Sequence, residues 1–182
     1  RLAEVRARAP AEAIDLSGVL RGAIEEVRQR HGLPDEAIRL APPPLAVVAG
    51  HRPELAVVFR NLLENAVKYS DSPVDVRVEV RRAGRDRVTV EIVDRGIGIE
   101  PRELRKIFQR FYRAGRDVQR QAAGLGLGLF VVRQLGRRHG GSVQARSEGL
   151  GRGSRFVVTL RSAERALPPA TARLEARAGG AR

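Results

Sequence analysis

Residues 61–70 read NLLENAVKYS and hold the only two asparagines of the 182-residue chain, Asn61 and Asn65, with one of its two lysines, Lys68. The segment lies within a helical pattern. Leu55, Val58, Phe59, Leu62, Leu63, Ala66 and Val67 recur at three- and four-residue spacing and form one apolar stripe. Residues i and i+4 of a helix stand one above the other, so both carboxamides leave on the same side. At 100° per residue they lie roughly 100–140° from the centre of the stripe, bordering the core without belonging to it. Asparagine is a poor helix former, and two of them in mid-helix call for a chemical reason. Pro53 suits the first turn of this helix.

Outward from this helix the patterning alternates between the two periods. Upstream, Leu16, Val19, Leu20, Ala23, Ile24 and Val27 predict a helix over 15–31, with Asp15 as N-cap and Gly32 then Pro34 as the stop. Short strands are expected around Ile38–Ala41 and Leu45–Ala49, on either side of Pro42, Pro43 and Pro44. Downstream, Val74, Val76, Val78 and Val80, then Val88, Val90 and Ile92, alternate with polar residues about a turn at Gly84, the pattern of a hairpin with one buried face. Pro101–Tyr112 reads as a short helix and Arg113–Ala123 as a mobile basic loop. The segment AGLGLGLF, 123–130, opens a helix that ends before Gly140. Strands at 142–147 and 155–160 form a second hairpin through a glycine-rich turn. Three helices over one face of a mixed, largely antiparallel sheet give an α+β two-layer sandwich. The expected domain spans 11–161, with residues 1–10 the end of an upstream helix and 162–182 a disordered tail poor in large apolar residues.

Composition removes several classes of function. There is no cysteine, which excludes disulfides, thiolate metal sites and thiol catalysis. No apolar run approaches the roughly 18 residues of a membrane span. The net charge is +13, but all but two of the 34 basic residues are arginine, scattered along the chain with neither a basic block nor interleaved aromatics. Nucleic acid is therefore not an expected partner, although some of the charge can still help to hold a polyanionic ligand.

Three further motifs carry chemistry. Gly124, Gly126 and Gly128 stand where a loop enters a helix, a form that lets backbone N–H groups approach a phosphate; no GK[ST] follows and no strand precedes, so neither a P-loop nor a dinucleotide fingerprint fits. Asp94 ends a strand ahead of Gly96 and Gly98. Its carboxylate can take an exocyclic amine hydrogen of adenine at the floor of a cleft, with the glycines leaving room for the base. A neutral carboxamide oxygen, such as the asparagine pair offers, suits Mg²⁺, which keeps several waters and takes few protein ligands, and Lys68 can meet a phosphate.

Taken in order, NLLENAVKYS, DRGIGI (94–99), IFQRFYR (107–113), GLGLGL (124–129) and GRGSRF (151–156) resemble the N box, first glycine box, F box, second glycine box and third glycine box of the ATP-binding catalytic domain of sensor histidine kinases. The resemblance covers about residues 11–160 and implies the Bergerat fold, with ATP and Mg²⁺ as cofactors. It implies an adenine-reading role for Asp94 with Gly96, Gly98 and Ile99, a metal-ligand role for Asn65, and catalytic, phosphate-side roles for Asn61, Asn65 and Lys68. Tyr69, Arg113, Gly124, Leu125, Gly126, Leu127, Gly128 and Ser154 match positions lining the nucleotide, and Phe108 and Phe111 would anchor a lid. Related ATPases place a glutamate at the position of Asn61; a carboxamide is no general base, so ATP would be held for an incoming acceptor. His31, His51 and His139 lie in no segment resembling a phosphoacceptor box. The implied partners are a histidine-bearing dimerisation domain of the same protein, upstream of Arg1, and a response regulator. The implied setting is the cytoplasmic side of a membrane-anchored sensor, homodimeric at full length and monomeric as an isolated domain. A serine kinase of the anti-sigma-factor type, an inactive nucleotide-binding module and, third, a nucleic-acid binder are the alternatives.

Overall fold

The computed structural model describes residues 12–41, 46–114 and 125–163. Their order is β1 (Glu12–Asp15), α1 (Leu16–His31), β2 (Ile38–Leu40), β3 (Val47–Gly50), α2 (Arg52–Lys68), β4 (Val76–Arg82), β5 (Arg87–Asp94), α3 (Gly128–Arg138), β6 (Ser142–Arg146) and β7 (Ser154–Arg161). Five strands form one sheet in the order β2-β4-β5-β7-β6, antiparallel except for the parallel pair β2 and β4.

The period-two pattern becomes rows of side chains across that sheet. Val78, Ile92 and Phe156 lie in register, as do Val80, Val90 and Val158, and all are buried beneath the helices. Burial of each such side chain contributes about 1.5–3 kcal/mol. The alternate residues Arg77, Glu79, Glu91 and Arg155 occupy the other face in ion pairs. Every residue of the predicted α2 stripe is buried, Phe59, Leu62 and Leu63 completely. Asp15 caps α1 by accepting from the Ser17 N–H at 2.9 Å, and Gly32 ends it in the left-handed conformation, φ 61°.

Three local expectations change. Pro101–Tyr112 contains turns and one 3-10 segment, Lys106–Phe108, instead of an α-helix. Glu103, Lys106 and Gln109 donate three residues back while Ile107 donates four back to Glu103, so three-back bonding predominates and no α-helix is propagated. Strand β1, unforeseen, pairs antiparallel with β3 in a separate two-stranded sheet. The tail was expected from residue 162. Instead Ser162 bridges Val48, and the buried Ala163 donates to the Val47 carbonyl at 2.8 Å, tying the end of β7 to that small sheet. The expected upstream helix and the rest of the tail lie outside the described residues, as do Gly124 and most of the expected basic loop.

Candidate nucleotide site

A cavity of about 740 Å³ opens between α2, the segment after β5 and the start of α3. That is within the range of small-molecule sites, about 300–1,000 Å³. Helix α2 supplies Asn61, Glu64, Asn65, Val67 and Lys68, with Tyr69 just past its end. Asn61 and Tyr69 are eight residues apart, or about 12 Å along the helix axis. Their surroundings differ.

At the Tyr69 end the wall is made by Asp94 and the loop that follows it. Asp94 is 4% exposed. Its Oδ1 accepts from the N–H groups of Gly96 (2.9 Å) and Ser154 (3.1 Å), and its Oδ2 accepts from the Ser154 hydroxyl. A carboxylate offers about four lone-pair sites, so three protein donors leave one acceptor position. Ile97, Gly98, Ile99, Ile107 and Phe156 supply apolar surface nearby. The loop is stapled to its neighbours through backbone: Ile97 donates to the Tyr69 carbonyl, Gly151 to that of Ile97 and Gly153 to that of Gly96. The glycines serve this stapling. A β-carbon on Gly96 would stand 1.8 Å from the Tyr69 oxygen, and one on Gly98 2.0 Å from the Gly149 oxygen. The space they leave is thus filled by the protein's own backbone, where the sequence reading had reserved it for the base.

At the Asn61 end, α3 begins. Asn61 Nδ2 donates to the Val57 carbonyl at 2.8 Å, which turns its Oδ1 toward Gly128; a β-carbon there would come within 2.9 Å of it. Leu125, Gly126, Leu127, Gly128 and Leu129 line the cavity. Helix α3 has no side-chain cap, and its first-turn N–H groups lack intrahelical acceptors, the arrangement that favours an anion. Two cations face the same space. Burial, then the Arg113 guanidinium, lower the Lys68 ammonium below its ordinary value while Glu64 pulls it back up; burial likewise raises the Tyr69 hydroxyl. The Asn65 carboxamide makes no hydrogen bond among the described residues, leaving its oxygen available to a cation.

The cavity therefore gathers Asn61, Asn65, Lys68, Tyr69, Asp94, Gly98, Ile99, Arg113, Leu125, Gly126, Leu127, Gly128 and Ser154 from the predicted set. Gly96 stands behind Asp94 as its donor. Phe108 and Phe111, grouped with the nucleotide contacts, do not line it. Phe108 is buried, edge-on to Phe156 at 6.4 Å and under the Arg133 guanidinium, because its apolar ring is worth more in the core. Phe111 is 65% exposed and adopts φ 61°, with its N–H on the Gly126 carbonyl. Unforeseen lining residues include His31, Glu64 and Tyr112. Glu64 was signalled only by its place beside Asn65, and His31 by nothing local.

The model of the histidine kinase-, DNA gyrase B-, and HSP90-like ATPase family matches residues 50–164. The sensor-like histidine kinase SenX3 of Mycobacterium tuberculosis is 31% identical over 147 residues, covering 81% of this chain and 35% of SenX3. The sensor histidine kinase AruS of Pseudomonas aeruginosa is 39% identical over 176 residues, covering 87% of this chain and 17% of AruS. The chain thus spans about a third or less of the length of these relatives. Among solved structures, the mycobacterial sensor histidine kinase MprB superposes with a TM-score of 0.72 at 27% identity, covering 84% of this chain and 97% of that one. The ATP-binding domain of PrrB from Mycobacterium tuberculosis gives 0.65 at 25% identity, with 84% and 98% covered. Sequence, fold and cavity agree: the chain belongs to the histidine kinase-, DNA gyrase B-, and HSP90-like ATPase family and is an ATP-binding catalytic domain of the sensor histidine kinase type.

Proposed function

We propose that this domain presents Mg·ATP for transfer of its γ-phosphoryl group to a histidine on a separate dimerisation domain of the same protein, from which a response regulator receives it. The supporting observation is the two-ended cavity, with the spare acceptor of Asp94 at one end and Asn61 against the start of α3 at the other. Asp94 takes the adenine amine hydrogen, and the apolar side chains around it exclude water from the base. Lys68, Arg113 and the first turn of α3 hold the phosphates, which fixes the terminal phosphorus for in-line attack. Asn65 is the residue that would hold the cation; bound Mg²⁺ offsets charge developing on the phosphate oxygens.

Asn61 orients without abstracting a proton, because a carboxamide is no general base. Hydrolysis by water is accordingly slow, and the nucleotide persists until an imidazole arrives. No helix among the described residues is long and apolar enough to cross a membrane. We further propose that the domain lies on the cytoplasmic side of a membrane-anchored, homodimeric sensor and is itself monomeric. Calorimetry of the purified domain with ATP and ADP at millimolar Mg²⁺ tests the binding, and labelling of a histidine in the full-length protein tests the transfer. Binding without histidine labelling would reduce the domain to a nucleotide-binding module; no binding would sink the reading.

A further inference from the structure

Glu64 is out of keeping with the site around it. Lys68, Arg113 and the start of α3 suit a polyanion, yet the same cavity is lined by this carboxylate, one residue from Asn65 and one helical turn from Lys68. It is also held in place from outside α2. Oε1 accepts from Arg30 Nη1 at 2.9 Å, and Oε2 lies 2.7 Å from His31 Nε2, both partners in the last turn of α1. His31 itself lines the cavity. The side chain is only 26% exposed, so its charge is incompletely screened.

A fixed negative charge beside a phosphate site opposes a bare nucleoside triphosphate. A divalent cation on the phosphates leaves the complex anionic but offsets much of that repulsion and adds a positive centre to which a carboxylate is attracted. The waters such a cation keeps are hydrogen-bond donors, for which the second lone pair of each Glu64 oxygen is an acceptor. We propose that Glu64, held by His31 and Arg30, is a selectivity residue that makes the site reject metal-free nucleoside triphosphate and accept its divalent-cation complex. This rests on the nucleotide-binding reading of the cavity. His31 is a positioning residue, acting through the carboxylate.

The test is calorimetric titration of the purified chain with a non-hydrolysable ATP analogue, in millimolar Mg²⁺ and in EDTA, alongside thermal unfolding of each variant. Glu64→Gln should bind the metal-free analogue about three- to tenfold more tightly and lose about tenfold of its Mg²⁺ enhancement. His31→Ala should move both values the same way by less, and His31→Gln, which restores a donor, should return them toward wild type. Glu64→Asp retains the charge and should retain most of the enhancement, which separates the charge from any loss of stability in Glu64→Gln. Equal weakening in both buffers, or no change in either, would leave Glu64 as a tie between α1 and α2 and overturn this proposal alone. A wild-type chain that binds in neither buffer overturns the underlying reading and this proposal together.

Discussion

The first and second glycine boxes look alike in sequence, DRGIGI and GLGLGL, but their glycines are needed for different reasons. In the first, Gly96 and Gly98 face carbonyl oxygens of Tyr69 and Gly149, backbone that has no room to give way. In the second, Gly128 faces the carboxamide of Asn61, the far end of a side chain that can turn aside. Gly126 falls between them, with φ 67° and the backbone of Phe111 and Tyr112 about 3 Å from where a β-carbon would stand. One box is a fixed floor built into the sheet. The other is a seam between the start of α3 and the helix that carries the asparagines.

That contrast is most severely tested at Gly98, where φ is 70° and the contact is with backbone. Gly98→Ala should cost about 3 kcal/mol of stability in denaturant unfolding. Gly84 has a similar φ, 74°, but nothing within 4 Å of the added carbon, so Gly84→Ala should cost only about 1 kcal/mol. Equal costs would mean that conformation alone, and not the carbonyl contact, fixes glycine in the floor.

Next in size is Asp94→Asn, which removes the charged acceptor while keeping its shape. Adenine-nucleotide affinity should fall about 30-fold, about 2 kcal/mol, by calorimetry. Retained affinity would move the base-reading contact elsewhere in the floor. Asn65→Ala is expected to leave unfolding stability within about 0.5 kcal/mol, since its carboxamide makes no hydrogen bond among the described residues. The gain in affinity on adding Mg²⁺ should shrink about tenfold, about 1.4 kcal/mol. A matching loss in EDTA would deny Asn65 its metal role. The smallest effect belongs to the seam. Gly128→Ala should hold or slightly raise stability, by up to about 1 kcal/mol, because alanine favours the helix and Asn61 can shift. Affinity should nevertheless fall about threefold, since the new methyl group crowds the first turn of α3. A collapse of stability comparable to that of Gly98→Ala would make both boxes the same kind of floor.

What could be read in advance follows the range of the interaction concerned. The stripe from Leu55 to Val67 and the alternation from Val76 to Ile92 are local periodicities, and both reappear as buried faces. Asp15 and Gly32 bound α1 because caps act within a few residues. Strand β1 escaped notice since EAID has no alternation long enough to register, and it becomes a strand only by meeting β3. Pro101–Tyr112 reads as a short helix in the sequence, yet Phe108 and Ile107 reach the core from a single 3-10 turn. The phenylalanines were assigned together from one motif, and the fold sends one inward and the other to solvent.

The sequence by itself determined the inventory: an amphipathic helix with two asparagines at its border, an aspartate ending a valine-rich strand, glycines in ordered clusters, and no carboxylate where Asn61 stands. Those depend on residue type and on periods of two and 3.6, which the backbone imposes locally. Only the tertiary structure decided which carbonyls the first-box glycines must admit, that Ser154 completes the shell of Asp94 from 60 residues away, and that α1 clamps Glu64 in the wall of the cavity. These are contacts between segments distant along the chain, set by the packing of α1 on α2 and of β7 on β5, and no local pattern encodes them.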